Sequence, residues 1–480
     1  MTPEVFRRLF DAHALAALAP LLALTGGIVL LLLADILPRM NKLRPVLFLA
    51  TIAAAAVFEM RSIGTPTMRV LADSMLSSTA TAAWGLLFLA SATIAWAFGH
   101  RYYREERPLL IEHDVLLLSS TAGMMLMASA QDLLVFFVGL ELLSVPLYSL
   151  AAFRRSRNDS VEAGLKYFVL GAFAAALFLY GTSLLYFGAG SISLPELREV
   201  GAGKPLALMG VALIAASLFF KVSVFPFHLW VPDVYQGSPT PVTTFMATGT
   251  KAAGFAFLLH AAFLLPSSAA ALLVWIALLT MAVGNIGALV QTDLKRMLAY
   301  SGIAHAGTLL LAVAGSLAGD PDPSGPTRAV IFYMAAYVFT AGGAFGIIAW
   351  LEGETRGPVT IESLRGLAQR RPGVAAAMTI FMLSLGGIPA TGGFLGKYLV
   401  FAVAVRADLV AAAVVGVLLS VVAFGYYLRV VVAMYMQPEI AESQLEREDR
   451  LPSAIAASFC AGMVVLLGVL PGWFLDQLGS

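Results

Sequence analysis

The sequence predicts an all-α polytopic membrane protein with about fourteen transmembrane helices. Of its 480 residues, 59% are hydrophobic and 12% are charged, whereas about a quarter of the residues in an average soluble domain are charged. The apolar residues gather into stretches of roughly 20, which is the length an α-helix needs to cross a bilayer. The loops between them are too short to hold a soluble domain. These observations exclude a soluble protein, and we expect no nucleic-acid partner.

Fourteen candidate spans follow one another along the chain. They cover residues 14–36, 43–60, 80–99, 115–130, 132–153, 164–187, 207–225, 240–262, 269–290, 298–316, 329–350, 375–400, 408–434 and 454–475. The first follows Arg7 and Arg8 as a signal peptide would, but its apolar run continues to Ile36 without a small-residue cleavage site. We therefore interpret it as a retained helix.

The distribution of positive charge predicts the orientation. Eighteen Lys and Arg residues lie in the odd-numbered loops, counted from the N-terminus, against eight at the N-terminus and in the even-numbered loops. Because cations accumulate in cytoplasmic loops, the odd loops are predicted to be cytoplasmic and both termini to lie on the outer, periplasmic face. The charged segment 437–451 is interpreted as a solvated cytoplasmic connector.

Two similar segments predict an internal repeat. Gln131-Asp132-Leu133 opens the fifth span, and Gln291-Thr292-Asp293-Leu294 lies just before the tenth. A helix break is predicted two spans after each start. The first lies at Pro226, in the seventh span. The second lies within residues 386–393 of the twelfth span, which include Pro389. Spans 4–8 and 9–13 are therefore predicted to form two five-helix repeats. The second is inverted, because an odd number of helices makes it enter the membrane from the opposite side.

This organisation divides the chain into four parts. We predict an N-terminal three-helix segment at 1–110, a first repeat at 111–265, a second, inverted repeat at 266–436, and a connector with the C-terminal helix at 437–480.

Four ionisable residues lie near the middle of predicted spans: Glu141, Lys221, Lys251 and Lys397. A charge at the bilayer centre costs about 2.5–3.5 kcal/mol on insertion scales, and a relay that moves protons or cations across the membrane is a use that justifies this cost. Glu141 needs a cation nearby, and Lys221 is its natural candidate. The structural alternative is a static ion pair that fixes helix packing, but such pairs are often no more stabilising than apolar residues.

Lys251 and Lys397 have surroundings that suit proton exchange. Thr248 and Thr244 precede Lys251 by one and two helical turns, and their hydroxyls can hold water. A buried lysine can release its proton, whereas arginine stays charged; the alternative for Lys251 is an amine that reaches to an interface. Lys397 follows the break at 386–393, where freed backbone groups must find water or protein partners.

Two histidines are further candidates. Each can titrate or bridge water molecules between charged groups, or merely bond to a neighbouring carbonyl. We favour a relay role for His305, which shares a helix face with Ser301 and Thr308. Both interpretations stay open for His228. The single Cys460 cannot supply the roughly four thiolates of an iron–sulfur cluster, so redox centres are expected in partner chains.

Several motifs together resemble a known family. They are Gly139-Leu140-Glu141-Leu142, the run 221–242 with His228-Leu229-Trp230-Val231-Pro232-Asp233, and Gly392-Gly393-Phe394-Leu395-Gly396-Lys397. They resemble the antiporter-like subunits of respiratory complex I and of multisubunit cation/proton antiporters, over roughly spans 4 to 13. Within the family the chain is most similar to the N-type, or mitochondrial subunit 2, branch. It has no room for the lateral helix of the L-type branch, and it carries Lys397 where the M-type branch usually has Glu.

The resemblance implies a proton-translocating membrane subunit of NADH:quinone oxidoreductase in the bacterial inner membrane. Glu141 would pair with Lys221, while Lys251 and Lys397 would continue the path. It also implies that this chain binds no cofactor, and that NADH, FMN, iron–sulfur clusters and quinone belong to partner subunits. Expected partners are antiporter-like M-type subunits, small hydrophobic subunits and membrane lipids. The alternatives are a subunit of a multisubunit sodium/proton antiporter and a non-pumping membrane scaffold.

Overall fold

Long helices account for nearly all of the structure, a computed structural model that describes residues 12–36, 41–99, 102–103, 110–200, 203–355, 357–439 and 451–479. Within these ranges thirteen helices are long and apolar enough to cross a membrane. In chain order they are Ala12–Ile36, Arg44–Ser62, Thr79–Gly99, Leu110–Ser129, Leu133–Ala151, Asn158–Ala189, Pro205–Val222, Thr240–His260, Ala269–Leu289, Leu294–Ala318, Gly325–Thr355, Val410–Met436 and Leu451–Val469. They are spans 1 to 11, 13 and 14 of the predicted order.

Span 12 consists of two shorter helices, Pro372–Gly386 and Gly392–Arg406. The first ends at Gly387, which has the left-handed φ of 93° that glycine adopts without a steric penalty. The N–H of Ile388 donates to the carbonyl of Leu383 at 3.0 Å, as in a Schellman helix end. Pro389 follows at once and cannot continue the helix. The predicted break is confirmed.

Span 7 ends in the same way, four residues before Pro226. Ser223 takes a left-handed φ of 67°, and the N–H of Val224 donates to the carbonyl of Phe219 at 3.1 Å. The chain resumes as the short helix Trp230–Gly237. The predicted interruption of the seventh span is therefore confirmed as well.

The two predicted repeats contain the same hydrogen-bonded link. In the first repeat the N–H of Leu133 donates to the carbonyl of Ile192, and that of Leu194 to the carbonyl of Gln131. In the second, the N–H of Leu294 donates to the carbonyl of Val359, and that of Ile361 to the carbonyl of Thr292. The four N···O distances are 2.8–3.1 Å. Asp132 and Asp293 cap the helices that start these units: Asp132 accepts from two backbone N–H groups of the first turn and Asp293 from one. The correspondence supports a repeat, while its inversion across the membrane and the domain boundaries stay predictions.

Spans 8, 10 and 11 form the centre of the molecule. In the most apolar stretch of each, 94%, 94% and 100% of the residues are buried. Spans 1, 6, 9 and 13 lie outside, with at most 39% of the same stretch buried. Span 8 contains one wide turn of π-helix, Met246–Thr250, just before Lys251. Such turns frequently occur at functional sites. The burial pattern therefore places Lys251 and His305 in the best-protected part of the fold.

The N-terminal segment is joined to the first repeat by a buried ion pair. Nε and Nη2 of Arg44 donate to the two carboxylate oxygens of Asp114 at 2.6 and 2.8 Å. Asp114 is fully buried and also accepts from the Trp96 indole. Because neither charge reaches solvent, the pair is fixed by its geometry and fastens span 2 to span 4.

The connections contain short elements. The two-stranded hairpin Met68–Val70 and Met75–Ser77 lies between spans 2 and 3, and is a small addition to the predicted all-α class. The short helices are Asn41–Leu43, Leu194–Val200, Ala262–Leu264, Glu362–Leu364, Leu367–Arg370 and Gly472–Gly479. Residues 440–450 of the predicted cytoplasmic connector lie outside the described residues, as do several of the loop cations used to predict orientation.

Candidate functional site

Glu141 and Lys221 are within electrostatic range of each other, as predicted, but they form no direct salt bridge in the described part of the chain. The Nζ atom of Lys221 donates to Ser144 Oγ at 2.8 Å and lies 5.8 Å from the ring centre of Tyr167. Oε1 of Glu141 is buried without a hydrogen-bond partner among the described residues. Ser144 lies one helical turn beyond Glu141 on the same face, and its hydroxyl holds the amine. The pair is therefore open, and the two charges interact through space.

Lys251 lies at the centre of the molecule and is only 1% exposed. Its Nζ atom donates to the carbonyl of Gly302 at 2.6 Å and lies 5.3 Å from the ring centre of Tyr337. A Cβ atom on residue 302 would lie 2.9 Å from Nζ, so glycine at this position permits the close approach. Lys251 thus connects span 8 to span 10 with no carboxylate beside it in the described structure.

His305 is held at both ring nitrogens by tyrosines. Nδ1 lies 2.6 Å from the hydroxyl of Tyr333, and Nε2 lies 3.1 Å from that of Tyr427. The Tyr427 hydroxyl also bonds to Ser301 Oγ. Because a neutral imidazole has one donor and one acceptor nitrogen, passing a proton through this chain of groups exchanges the two roles. His305 is also within electrostatic range of both Lys251 and Lys397.

Lys397 connects the two halves of the broken span 12. Its Nζ atom donates to the carbonyls of Leu385 and Gly386, both at 2.8 Å. These carbonyls end the first half-helix, where the partial negative charge of the helix dipole lies. The break therefore supplies the oxygen ligands of this amine.

His228 is separate from these groups. It is 5% exposed, its ring stacks near Phe225, and its Nδ1 atom has no hydrogen-bond partner in the described part of the chain. The structure thus places the Tyr337 ring beside both His305 and Lys251, whereas His228 lies in the span 7 break and bonds to no relay lysine among the described residues.

Sequence reasoning did not identify the tyrosines. Tyr333 and Tyr337 lie one turn apart on span 11, and Tyr427 faces them from span 13. Phenols spaced by four residues within an apolar helix were a signal in the sequence. It is a weak one, because tyrosine is also common in cores and at membrane interfaces.

The described residues include no cluster suited to a metal ion. No group of three or more His, Cys, Asp or Glu side chains there could hold a metal ion. The relay candidates Glu141, Lys221, Lys251, His305 and Lys397 instead supply one carboxyl group, three amines and one imidazole, which suit proton transfer.

Comparisons with known proteins agree on one family. Residues 130–423 match the family described as NADH:quinone oxidoreductase/Mrp antiporter, TM. A protein named NADH-quinone oxidoreductase subunit N 2 from Roseiflexus castenholzii is 40% identical over 467 residues, which are 93% of this chain and 92% of that protein. One with the same name from Rhizobium meliloti is 40% identical over 477 residues, 96% of each chain.

Solved structures give the same result. A chain of respiratory complex I from Thermus thermophilus with bound aureothin is 35% identical, with a TM-score of 0.80 over 96% of this chain and 99% of that one. A chain of the Mrp complex from Dietzia sp. has a TM-score of 0.82 over 98% and 97% of the two chains, at 23% identity, which is a likeness of fold alone. Considered with the buried lysines and the broken spans, these matches show that the chain belongs to the NADH:quinone oxidoreductase/Mrp antiporter family and, within it, to the subunit N relatives.

Proposed function

We propose that this chain moves protons along a relay of buried titratable groups. The proposed groups are Glu141, Lys221, Lys251, His305 and Lys397, with His228 in the adjacent helix break. The chain is a proton-translocating, antiporter-like membrane subunit of NADH-quinone oxidoreductase, and its partners are other membrane subunits of complex I. It is therefore part of a redox-driven translocase.

One observation carries the proposal. Each of the three buried lysines donates to uncharged oxygens: Lys221 to Ser144, Lys251 to Gly302, and Lys397 to Leu385 and Gly386. An amine held in this way can release its proton without leaving a paired carboxylate behind. A lysine that served only packing would need a counter-charge to offset the cost of burial. The arrangement favours proton exchange over the non-pumping scaffold.

The open pair of Glu141 and Lys221 provides a coupling step. Moving the Lys221 amine from Ser144 toward Glu141 increases the electrostatic stabilisation of its proton, and moving it back releases that proton toward Lys251. His305 and its tyrosines then lie between Lys251 and Lys397. Events in partner subunits need only shift the position of Lys221 to drive the relay.

Location and cofactors follow from membership of complex I. The chain is a multi-span protein of the bacterial inner membrane, and we propose that the odd-numbered loops face the cytoplasm. We also propose that NADH, FMN, iron–sulfur clusters and quinone belong to partner subunits; for the clusters, the single cysteine of this chain is too few to act as ligands. The sodium/proton antiporter alternative is supported here only by a fold-level likeness.

The test compares Lys251→Ala and Lys251→Arg with the parent in vesicles that contain normally assembled complex. The Ala variant removes the central amine, so NADH-driven proton uptake should fall, and quinone reduction with it if the two are tightly coupled. The Arg variant keeps the charge but cannot release its proton near neutral pH. It should therefore behave like Ala.

Two outcomes would contradict the proposal. Full proton uptake in Lys251→Ala would remove this residue from the path. Full uptake in Lys251→Arg alone would show that only its charge matters.

A further inference from the structure

We infer that Glu352 is the proton-intake site of this subunit, and that the hydroxyls of Thr240, Thr244 and Thr248 connect it to Lys251. The inference rests on the proposed relay and adds its entry at Lys251. Lys251 then exchanges its proton with Lys221 on one side and passes it toward Lys397 on the other. The inference starts from a cavity that none of the relay residues lines.

The cavity, here named the polar vestibule, has a volume of about 950 Å³. Its walls come from the odd-numbered loops and the span ends beside them, and include Arg154, Asp159, Asp233, Ser238 and Gly357. Burial alone would raise the pKa of Asp233, but hydrogen bonds from Arg296 and Lys166 lower it below the ordinary aspartate value. The vestibule is therefore a charged, water-accessible entrance on the predicted cytoplasmic side.

Glu352, Lys295 and Tyr102 lie at the inner end of the polar vestibule. The side chains of Glu352 and Lys295 are only 11% and 7% exposed, and Nζ of Lys295 lies 3.7 Å from Oε1 of Glu352. That amine donates to the carbonyl of Ser238 at 2.8 Å, which holds it beside the carboxylate without closing a tight pair. A carboxylate and an amine are thus held side by side at the inner end of the vestibule.

The other carboxylate oxygen faces span 8. Oε2 of Glu352 accepts from the Tyr102 hydroxyl at 3.1 Å and from Thr240 Oγ1 in a shorter bond. Thr240 is the first residue of span 8, the helix that carries Lys251. A carboxylate at the inner end of a water-accessible cavity is therefore bonded directly to the relay helix.

A stripe of hydroxyls continues along that helix. Thr240, Thr244 and Thr248 are spaced by four residues and are completely buried, and Thr248 Oγ1 lies 2.6 Å from Ser91 Oγ. Thr240 and Lys251 are roughly 16 Å apart along the axis, and successive threonines about 6 Å apart. In this structure the Thr244 and Thr248 hydroxyls donate to the carbonyls one turn back, and a single water molecule between successive hydroxyls would bridge a gap of this length. The π-helical turn Met246–Thr250 lies between Thr244 and Lys251.

The proton moves in three balanced steps. The Glu352 carboxylate takes a proton from a water molecule of the polar vestibule and becomes a neutral carboxyl, and bulk solvent replaces the proton of that water. The carboxyl gives the proton to the first hydroxyl of the stripe. Each hydroxyl or bridging water then accepts one proton and donates its own proton to the next group, so that it ends with the protons it began with. The last transfer converts the neutral amine of Lys251 to ammonium and leaves Glu352 as carboxylate again.

The experiment uses the full chain in assembled complex and measures NADH-driven proton uptake in vesicles. Glu352→Gln keeps the size and a hydrogen-bonding side chain but cannot carry the proton, and Thr248→Val removes one hydroxyl at constant volume. Both should slow uptake by about a hundredfold or more, because a positioned proton-transfer group contributes roughly 10²–10⁴-fold. Thr248→Ser keeps the hydroxyl and should restore uptake.

Two matched controls lie outside the path. Glu59 is a buried carboxyl of span 2, and Thr182 is a buried threonine of span 6 whose hydroxyl donates to a carbonyl one turn back, as that of Thr248 does. Glu59→Gln and Thr182→Val should keep parent uptake. In Thr248→Val the solvent deuterium isotope effect on uptake should exceed that of the parent, because transfer along the stripe becomes limiting; a merely structural defect would leave it unchanged.

The outcomes separate this inference from the proposed function. Parent uptake in Glu352→Gln, with Lys251→Ala slowed in the same vesicles, overturns the intake site and leaves the relay standing. Parent uptake in Lys251→Ala overturns the relay itself. If Glu352→Gln fails to assemble, Thr248→Val decides, and parent uptake in that variant overturns the hydroxyl path.

Discussion

The amine of Lys397 lies 2.8 Å from the carbonyl oxygen of Leu385, across the gap between the two halves of span 12. The second half-helix therefore satisfies a backbone group that the break in the first half-helix leaves without an intrahelical partner. Lys397 therefore has two roles. It links the two half-helices by hydrogen bonds, and its amine protons bond to oxygens that carry no full charge.

Replacing Lys397 should separate these two roles. Lys397→Met keeps an unbranched side chain only one atom shorter but leaves the carbonyls of Leu385 and Gly386 without their donor, at a cost of about 1–3 kcal/mol for each buried group. We expect lower heat stability of the assembled complex together with lower proton uptake. Lys397→Arg still donates to these carbonyls, so stability should be largely kept while uptake falls. Parent uptake in Lys397→Arg would show that proton release at this position is not needed.

The tyrosines around His305 provide a second prediction with a matched control. Tyr427→Phe removes the bonds to His305 Nε2 and to Ser301, so NADH-driven proton uptake should fall. Tyr426 is the adjacent residue and equally buried, and its hydroxyl donates to Asn285 Oδ1 at 3.0 Å. It also interacts with Tyr427 and Ser301 but makes no direct bond to His305 among the described residues, so Tyr426→Phe should lose less uptake than Tyr427→Phe. Equal losses in the two variants would indicate a general packing defect and would remove the special role of Tyr427.

The buried pair of Arg44 and Asp114 is expected to serve stability. Asp114→Ala leaves a buried guanidinium without its anion, which should destabilise the attachment of the N-terminal segment by about 3–5 kcal/mol. The measurement is heat stability and yield of the assembled complex. The double variant Arg44→Met with Asp114→Leu removes both charges and should recover most of the loss. A double variant no better than Asp114→Ala would contradict this account.

The orientation of the chain can be checked by labelling. If the odd-numbered loops are cytoplasmic, a tag attached after Ser480 should react with a membrane-impermeant reagent added to the outer face of intact spheroplasts. A cysteine introduced at the exposed position Glu162, beside the polar vestibule, should react only in inverted vesicles. Reaction of the tag only from the cytoplasmic side would reverse the predicted orientation, and would place the vestibule on the outer face.

Much of the fold follows from local properties of the sequence. Span lengths could be predicted because each helix satisfies its own backbone and needs only a sufficiently long apolar run. The breaks of spans 7 and 12 were predictable because proline cannot continue a helix and glycine adopts a left-handed φ. Glu141, Lys221, Lys251 and Lys397 were identified because charge within an apolar span is costly wherever it lies in the tertiary structure.

The partners of these residues depended on the tertiary structure. Lys221 bonds to Ser144, 77 residues away, instead of pairing directly with Glu141, and Lys251 bonds to Gly302, 51 residues away. Glu352 meets Thr240 across 112 residues. Sequence periodicity specifies which face of a helix a residue occupies, but not which helix packs against that face or how far it is rotated. The sequence by itself therefore determined the spans, their interruptions and the buried charges, whereas packing alone decided which oxygens hold each amine and where the polar vestibule meets span 8.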